Sequence, residues 1–298
     1  MINIDKCNIC ARNCNIDRTN SELGYCKSND KIKLAKSYLH KWEEPCISLG
    51  EGSGTVFFSN CNLSCVFCQN HKISQEGFGK DISIEELSNI FLSLQDKKAS
   101  NINLVTPTSY VPFIIKALDL AKLRGLNLPV LYNTNSYENI DTIKSLNGYI
   151  DVYLPDLKYF NDKYAIKYSN APNYFNTATA AIEEMFNQVK TNIFNENGAV
   201  TKGLIIRHLM LPSLLFDSKK IIDYIYKTYG DNVYISIMNQ YTPMYKSYLY
   251  PEINKNLNPK HYNALIDYAI NLGVKNAFIQ ESSSSSLSYV PEFNLEGV

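Results

Sequence analysis

Short apolar runs alternate along this chain with segments of helical periodicity. TVFFSNC is followed by ISIEELSNIFLSLQ, INLVTPT by YVPFIIKALDLAKLRG, and LPVLYNTN by IDTIKSL. The alternation continues through DVYLPDLK, a long helical region within roughly 162–195, LIIRHLMLP, SKKIIDYIYKTYG, VYISIMNQ, a helix near 259–273 and NAFIQES. The runs are apolar almost without interruption, as strands covered on both faces are. At least six such βα units in one chain predict an α/β fold with a parallel barrel, closed or partial, because parallel strands need helical crossovers and those crossovers are right-handed.

Polar residues end each run, where barrels of this kind carry their chemistry. The first run delivers Cys61, the second Thr106 and Thr108, and the third Asn133, Thr134, Asn135 and Ser136. The fourth ends in Asp156 and Lys158, the fifth carries Arg207 and His208, and the sixth ends in Asn239 and Gln240. One Asn or Thr after a strand reads equally as a turn former. Their recurrence at one rim points to a site. Arg207 lies within an apolar strand and needs an anion there, which Asp156 or a bound carboxylate would supply. His208 points away from Arg207 in a regular strand, towards a hydrogen-bonded place between barrel and helix.

Composition narrows the class. With 298 residues, 45% hydrophobic and 19% charged, the chain buries a large core and is neither a disordered tail nor a membrane span. One main domain is expected. The formal net charge of zero argues against a broad nucleic-acid footprint and favours a protein, peptide or small-molecule partner. The start, MINIDKCNIC, has no apolar signal segment, and no membrane-length apolar run occurs, so the expected location is the cytoplasm. Seven of the eight cysteines fall into two groups, which suits reduced, metal-bound thiols in an oxygen-poor cell better than secreted disulfides.

The sharper group is Cys61-x3-Cys65-x2-Cys68. A closed zinc site takes four ligands and a [4Fe-4S] cluster one for each iron, so three local cysteines imply a distant fourth ligand or an open metal position. This spacing resembles that of the radical S-adenosylmethionine (radical SAM) superfamily, and Phe67 fits the aromatic position that the family packs near the adenine. From about Gly52 to Tyr245 the chain resembles the branch related to the pyruvate formate-lyase activating enzyme, which implies a partial (β/α)6 TIM-like barrel. NLVTPTSY stands where that family has a glycine-rich segment holding the methionyl amino group, which carries the role over to Thr106 and Thr108. YNTNSY matches a TNG-type turn near the ribose and carboxylate, bringing in Asn133, Asn135 and Ser136, and PDLK matches a DLK segment, bringing in Asp156 and Lys158. Gln240 falls where the family has a residue over adenine or substrate, and the cofactor carboxylate is one of the two candidate anions for Arg207. The implied chemistry is reductive cleavage of S-adenosylmethionine by a [4Fe-4S] cluster, fed by an electron donor such as flavodoxin or ferredoxin.

The second group, Cys7-x2-Cys10-x3-Cys14-x11-Cys26, can close a metal site holding zinc or a second [4Fe-4S] cluster, on which so short a segment would depend for its fold. Cys46 is left over, a buried thiol or a spare ligand. His40, Trp42, Glu43 and Glu44 in the same connector either line the open end of the barrel or are solvated. The expected division is 1–50 for the cysteine-rich segment and connector, 51–285 for the barrel and 286–298 for a tail. Two enzyme readings follow: hydrogen abstraction from a glycyl residue of a partner protein, or radical modification of another peptide, an RNA or a small metabolite. A non-catalytic iron-sulfur electron-transfer module is the third.

Overall fold

The apolar runs become strands in the computed structural model, which describes residues 3–280 and 291–298. In chain order the elements are β1 (Ile32–His40), β2 (Ser53–Phe58), α1 (His71–Ser74), β3 (Lys80–Ile82), α2 (Ile84–Asp96), β4 (Ile102–Val105), α3 (Val111–Leu123), β5 (Val130–Thr134) and α4 (Ile140–Ser145). They continue with β6 (Val152–Pro155), α5 (Asp162–Ser169), α6 (Tyr174–Val189), β7 (Ile193–Phe194), β8 (Val200–Leu209), α7 (Leu215–Tyr229), β9 (Tyr234–Met238), α8 (Pro259–Leu272) and β10 (Ala277–Ile279). Helix starts follow local chemistry. At α2, Ser83 and Glu86 cap each other's backbone, and at α8 Asn258 caps a helix whose first residue is Pro259.

The sheet runs β10-β9-β8-β6-β5-β4-β2-β1-β3, with the seven strands from β10 to β2 parallel and β1 and β3 antiparallel at one edge. This is the expected partial barrel, with the last apolar run added as a seventh parallel strand. Alternate residues of each strand face opposite sides. Val56, Leu104, Tyr132, Tyr153, Ile206 and Ile237 pack under the helices in the main core. Their neighbours Leu131, Leu154 and Ile205 face the lumen. The long helical region of 162–195 is two helices, broken where Asn170 turns left-handed (φ 48°) ahead of Pro172.

The connector before β2 does not lie on the surface. It threads the lumen: Cys46 and Ile47 pack on Leu131, Val152, Leu154 and Ile205, and the Cys46 carbonyl accepts from the Val200 N–H at 3.0 Å. Asn101 ties this plug to the strand ends by donating to the Ile47 carbonyl at 2.9 Å. Cys46 is therefore a packed thiol, its pKa pushed up to about 12 by burial and the nearby Glu44.

β1 falls inside the stretch expected to be connector. Along its outer edge run the last residues, Ser37 N–H donating to the Glu296 carbonyl at 2.9 Å and Leu295 N–H to the Ala35 carbonyl at 3.2 Å, so residues 291–298 are packed chain. The serine run at 281–286, the end of the expected barrel span and the start of the expected tail lie outside the described residues. Among the described residues no helix is long and apolar enough to cross a membrane.

Candidate functional site

The carboxyl ends of the parallel strands open on a cavity of about 700 Å3. Seven of the ten residues expected to meet a cofactor line it: Thr106, Asn133, Asn135, Asp156, Lys158, Arg207 and Gln240. Cys61, Cys65 and Cys68 line it too, carried by the loop at 59–70 between β2 and α1. Three expected residues do not. Phe67 packs in the core against Tyr241, ring centres 5.7 Å apart. Thr108 and Ser136 are buried behind the strand ends, Thr108 donating to Glu138 at 2.7 Å.

Each cysteine sulfur has a polar neighbour. The Asn135 amide and the Leu63 N–H both lie 3.4 Å from Cys61 Sγ, the Ser169 hydroxyl donates to Cys65 at 3.0 Å, and the Ser74 hydroxyl sits 3.2 Å from Cys68. Burial pushes all three thiols up, Cys68 to about 11, with the Cys65 sulfur adding at Cys61 and Cys68. Without a cation they stay protonated; a metal centre has to displace those protons. Lys158 lies close enough to favour their ionised forms. Among the described residues no three His, Cys, Asp or Glu side chains are gathered around the position of a single metal ion. Three sulfurs on one loop, facing one cavity and met by donors, fit a polynuclear cluster in which each ligand serves a different iron.

Opposite the cysteines lies a charged network. Arg207 donates through Nε to Asp156 at 3.0 Å and through Nη2 to Asn133 at 2.6 Å, with Glu43 3.5 Å from Nη1. Lys158 meets the other Asp156 oxygen at 2.6 Å. The anion that Arg207 requires is thus Asp156, one of the two open choices. Burial alone would raise the Asp156 pKa, but the Arg207 and Lys158 charges override it and hold the carboxyl below its ordinary range. Glu43 and Glu44, from the lumen plug, are both raised by burial against the pull of Arg207. The connector residues therefore line the cavity, as one of the two sequence readings had it.

Some site residues left little trace in the sequence. Tyr174, on α6, sends its hydroxyl to the carbonyls of Asn135 and Asp156, both at 2.9 Å, and accepts from the Lys158 N–H at 3.1 Å, tying the ends of β5 and β6 together. Glu138, fully enclosed, accepts from Thr108, Tyr132 and Thr134 and is raised by burial. His208 takes the place expected of it, its Nδ1 2.8 Å from the Leu157 carbonyl and its Nε2 2.9 Å from Ser218 Oγ, and burial lowers its pKa to about 4.

The amino-terminal cysteines pack behind the cysteine loop. None of Cys7, Cys10, Cys14 and Cys26 lines the cavity. Arg12 donates to the carbonyls of Asn62 at 2.9 Å and Asn170 at 2.6 Å, sandwiched between the rings of Tyr25 and Tyr137. Arg18, buried, donates to the Ser109 carbonyl at 2.8 Å. Cys10 pairs through its backbone with Glu138, and its thiol, pushed up to about 12 by burial, reaches the Asn62 amide.

This geometry can be set beside known proteins. A model of the radical SAM superfamily matches residues 55–196. Over 275 residues the chain is 32% identical to the uncharacterized protein MJ0674 of Methanocaldococcus jannaschii, the match covering 88% of this chain and 74% of that protein. Among solved structures it is similar to the FeFe-hydrogenase maturase HydG from Carboxydothermus hydrogenoformans, with a TM-score of 0.51, 13% identity, and coverage of 79% of this chain and 56% of that one. It is similar to anSMEcpe with bound AdoMet, with a TM-score of 0.51, 16% identity, and coverage of 74% and 61%. It is similar to Streptococcus suis SuiB bound to its precursor peptide SuiA, with a TM-score of 0.50, 14% identity, and coverage of 74% and 46%. At such identities the likeness is one of fold, and the chain spans roughly half the length of these structures. With the cysteine loop at the strand ends and these matches in agreement, the chain belongs to the radical SAM superfamily.

Proposed function

We propose that this chain is a radical enzyme in which Cys61, Cys65 and Cys68 hold a [4Fe-4S] cluster at three irons, with S-adenosylmethionine bound over the strand ends. The observation that carries the reading is the convergence of those three sulfurs with Asn135, Asp156, Lys158, Arg207 and Gln240 on one cavity. The cluster and its cofactor together supply reductive cleavage to methionine and a 5'-deoxyadenosyl radical that abstracts hydrogen from a substrate. The chain's residues do the rest. Asn135 holds the Cys61 sulfur and faces the cavity; Asn133 and Asp156 hold the Arg207 guanidinium at the strand ends; Thr106 and Gln240 offer oxygen acceptors to the amino group and the adenine. A glycyl residue of a partner protein is the substrate by the activating-enzyme resemblance. The altered NLVTPTSY segment and the extra cysteines favour another peptide or a small molecule.

For Cys7, Cys10, Cys14 and Cys26 we read a second iron-sulfur group in preference to zinc, both of which a set of four cysteines can hold. Their position behind the loop supports electron relay or structural support over substrate binding.

The test is anaerobic reconstitution with iron and sulfide, metal analysis, and addition of dithionite and S-adenosylmethionine. Expected are about eight irons per chain, little zinc, and release of 5'-deoxyadenosine. Cys65→Ala should lose one cluster signal by EPR together with the product. Product formation that survives loss of that signal overturns the assignment.

A further inference from the structure

Glu44 is only 8% exposed and lines the cavity, yet its Oε2 has no hydrogen-bond partner among the described residues. The carboxyl's one side-chain donor is the Ser236 hydroxyl. A buried carboxylate oxygen left without a donor carries the full desolvation penalty of that group. Because Glu44 lines the cavity, a ligand donor that reaches this oxygen removes the penalty.

The charges around it do not balance. When ionised, Glu43, Glu44 and Asp156 outnumber the half-buried cations of the cavity, which among the described residues are Lys158 and Arg207. Both cations are committed to Asp156, and Glu43 draws on Arg207 at 3.5 Å and the Asn103 amide at 3.2 Å. Of the remaining titratable groups in the lining, Cys61, Cys65 and Cys68 are the proposed cluster ligands, Lys41 is exposed, and His40 is held at 2.6 Å by the Tyr38 hydroxyl and kept neutral by burial and Lys36. Trp42, Phe57 and Phe278 add aromatic faces to the same cavity. A carboxylate beside aromatic faces is the pairing that receives an organic cation.

We infer that this cavity takes its substrate by a cationic head group, an alkylammonium or a guanidinium, with Glu44 accepting its N–H donors, Glu43 adding charge, and Trp42 and Phe278 flanking it. The inference rests on the reading of the cavity as the site of radical chemistry. It narrows the substrate to an amine or guanidine, either free or carried on a lysine or arginine side chain. An ammonium brings three donors and a guanidinium five, more than the one that Glu44 Oε2 lacks.

The test is calorimetric titration of the reconstituted protein, loaded with S-adenosylmethionine, with Nα-acetyl-lysine amide, Nα-acetyl-arginine amide, butylamine and the neutral isostere Nα-acetyl-norleucine amide. The cationic probes should bind about tenfold or more tightly than the norleucine probe. Their binding should release protons, read as a difference between buffers of unlike ionisation heat. Glu44→Gln should abolish the preference. A lysine probe that outbinds butylamine assigns the head group to a peptide side chain, and the reverse assigns it to a free amine. Equal binding of the norleucine probe, binding of none of them, or a preference that persists in folded Glu44→Gln overturns the inference. So does a Glu44→Gln variant that weakens only S-adenosylmethionine, since the carboxylate then serves the cofactor. Failure of the radical reading shows separately, as absence of 5'-deoxyadenosine from wild-type protein.

Discussion

Asn62 and Asn135 share a hydrogen bond of 2.8 Å, and through it the two cysteine groups are joined. Asn135 also donates to the Cys61 sulfur, and the Asn62 amide is reached by Cys10. A single side-chain bond thus separates the cavity from the amino-terminal segment behind it. Donors at a cluster sulfur stabilise the more negative, reduced state. Asn135→Leu should therefore lower the reduction potential of the Cys61 cluster, read by EPR-monitored redox titration. If the amino-terminal cysteines hold the proposed second cluster, Asn62→Ala should perturb the signals of both, because it frees Asn135 and Cys10 together. An Asn62→Ala protein in which only one signal moves would show that the two groups are independent.

Tyr174 makes a second prediction. Its hydroxyl is the common partner of Asn135, Asp156 and Lys158 backbone atoms. Tyr174→Phe keeps the packed ring and leaves those buried groups short of a partner, at a cost of about 1–3 kcal/mol. Urea unfolding measures that loss. S-adenosylmethionine affinity should fall with it, as the ends of β5 and β6 drift apart.

Thr106 holds φ at 58°, a left-handed conformation that a β-branched residue adopts only under strain, in the segment where the family has glycines. Thr106→Gly should relieve about 1–3 kcal/mol of strain and lose about 0.5–1 kcal/mol to chain entropy, for a net gain near 1 kcal/mol. Stability by urea unfolding should rise while S-adenosylmethionine binding weakens, because the Thr106 hydroxyl leaves the cavity lining.

Glu44 predicts a pH dependence. Its pKa is raised by burial, so the folded chain keeps a proton that the unfolded chain has already lost. The stability it contributes is full below the ordinary glutamate range and is lost as pH rises through the folded value. Asp156, held low by Arg207 and Lys158 against its burial, and His208, lowered to about 4 by burial, act in the opposite direction, losing stability as pH falls. The difference between wild type and Glu44→Gln isolates the first effect. Ligand-free Glu44→Gln should melt a few degrees higher than wild type at pH 7, with the gap closing towards pH 4. A gap that widens on acidification contradicts the assigned burial of the charge.

The strands that form the barrel were legible because both of their faces are covered, which leaves uninterrupted apolar runs such as LPVLYNTN. The cysteine spacing and the polar strand ends were legible for the same local reason: their meaning lies within a few residues of sequence. β1 was not, since Lys33 and Lys36 interrupt the apolar pattern of IKLAKSYLH, and the partners that accommodate them, Asp81 and Glu296, lie far along the chain. Tyr174 and Glu138 were hidden because their partners lie on other elements, and nothing local distinguishes a helix tyrosine that holds two strand ends from one that merely packs. Phe67, Thr108 and Ser136 show the converse: adjacency in sequence to the rim is not exposure to the cavity, because the loops after the strands turn these side chains inward, Phe67 onto Tyr241 and Thr108 onto Glu138.

The plug formed by residues 43–47 gives the barrel a floor that belongs to none of its βα units. The depth of the chamber, its acidity and the side chains at its base are set by one short strap laid in from outside the repeat. A change of substrate in a molecule built this way needs no alteration of a strand. It requires a different strap, threaded through the same ring.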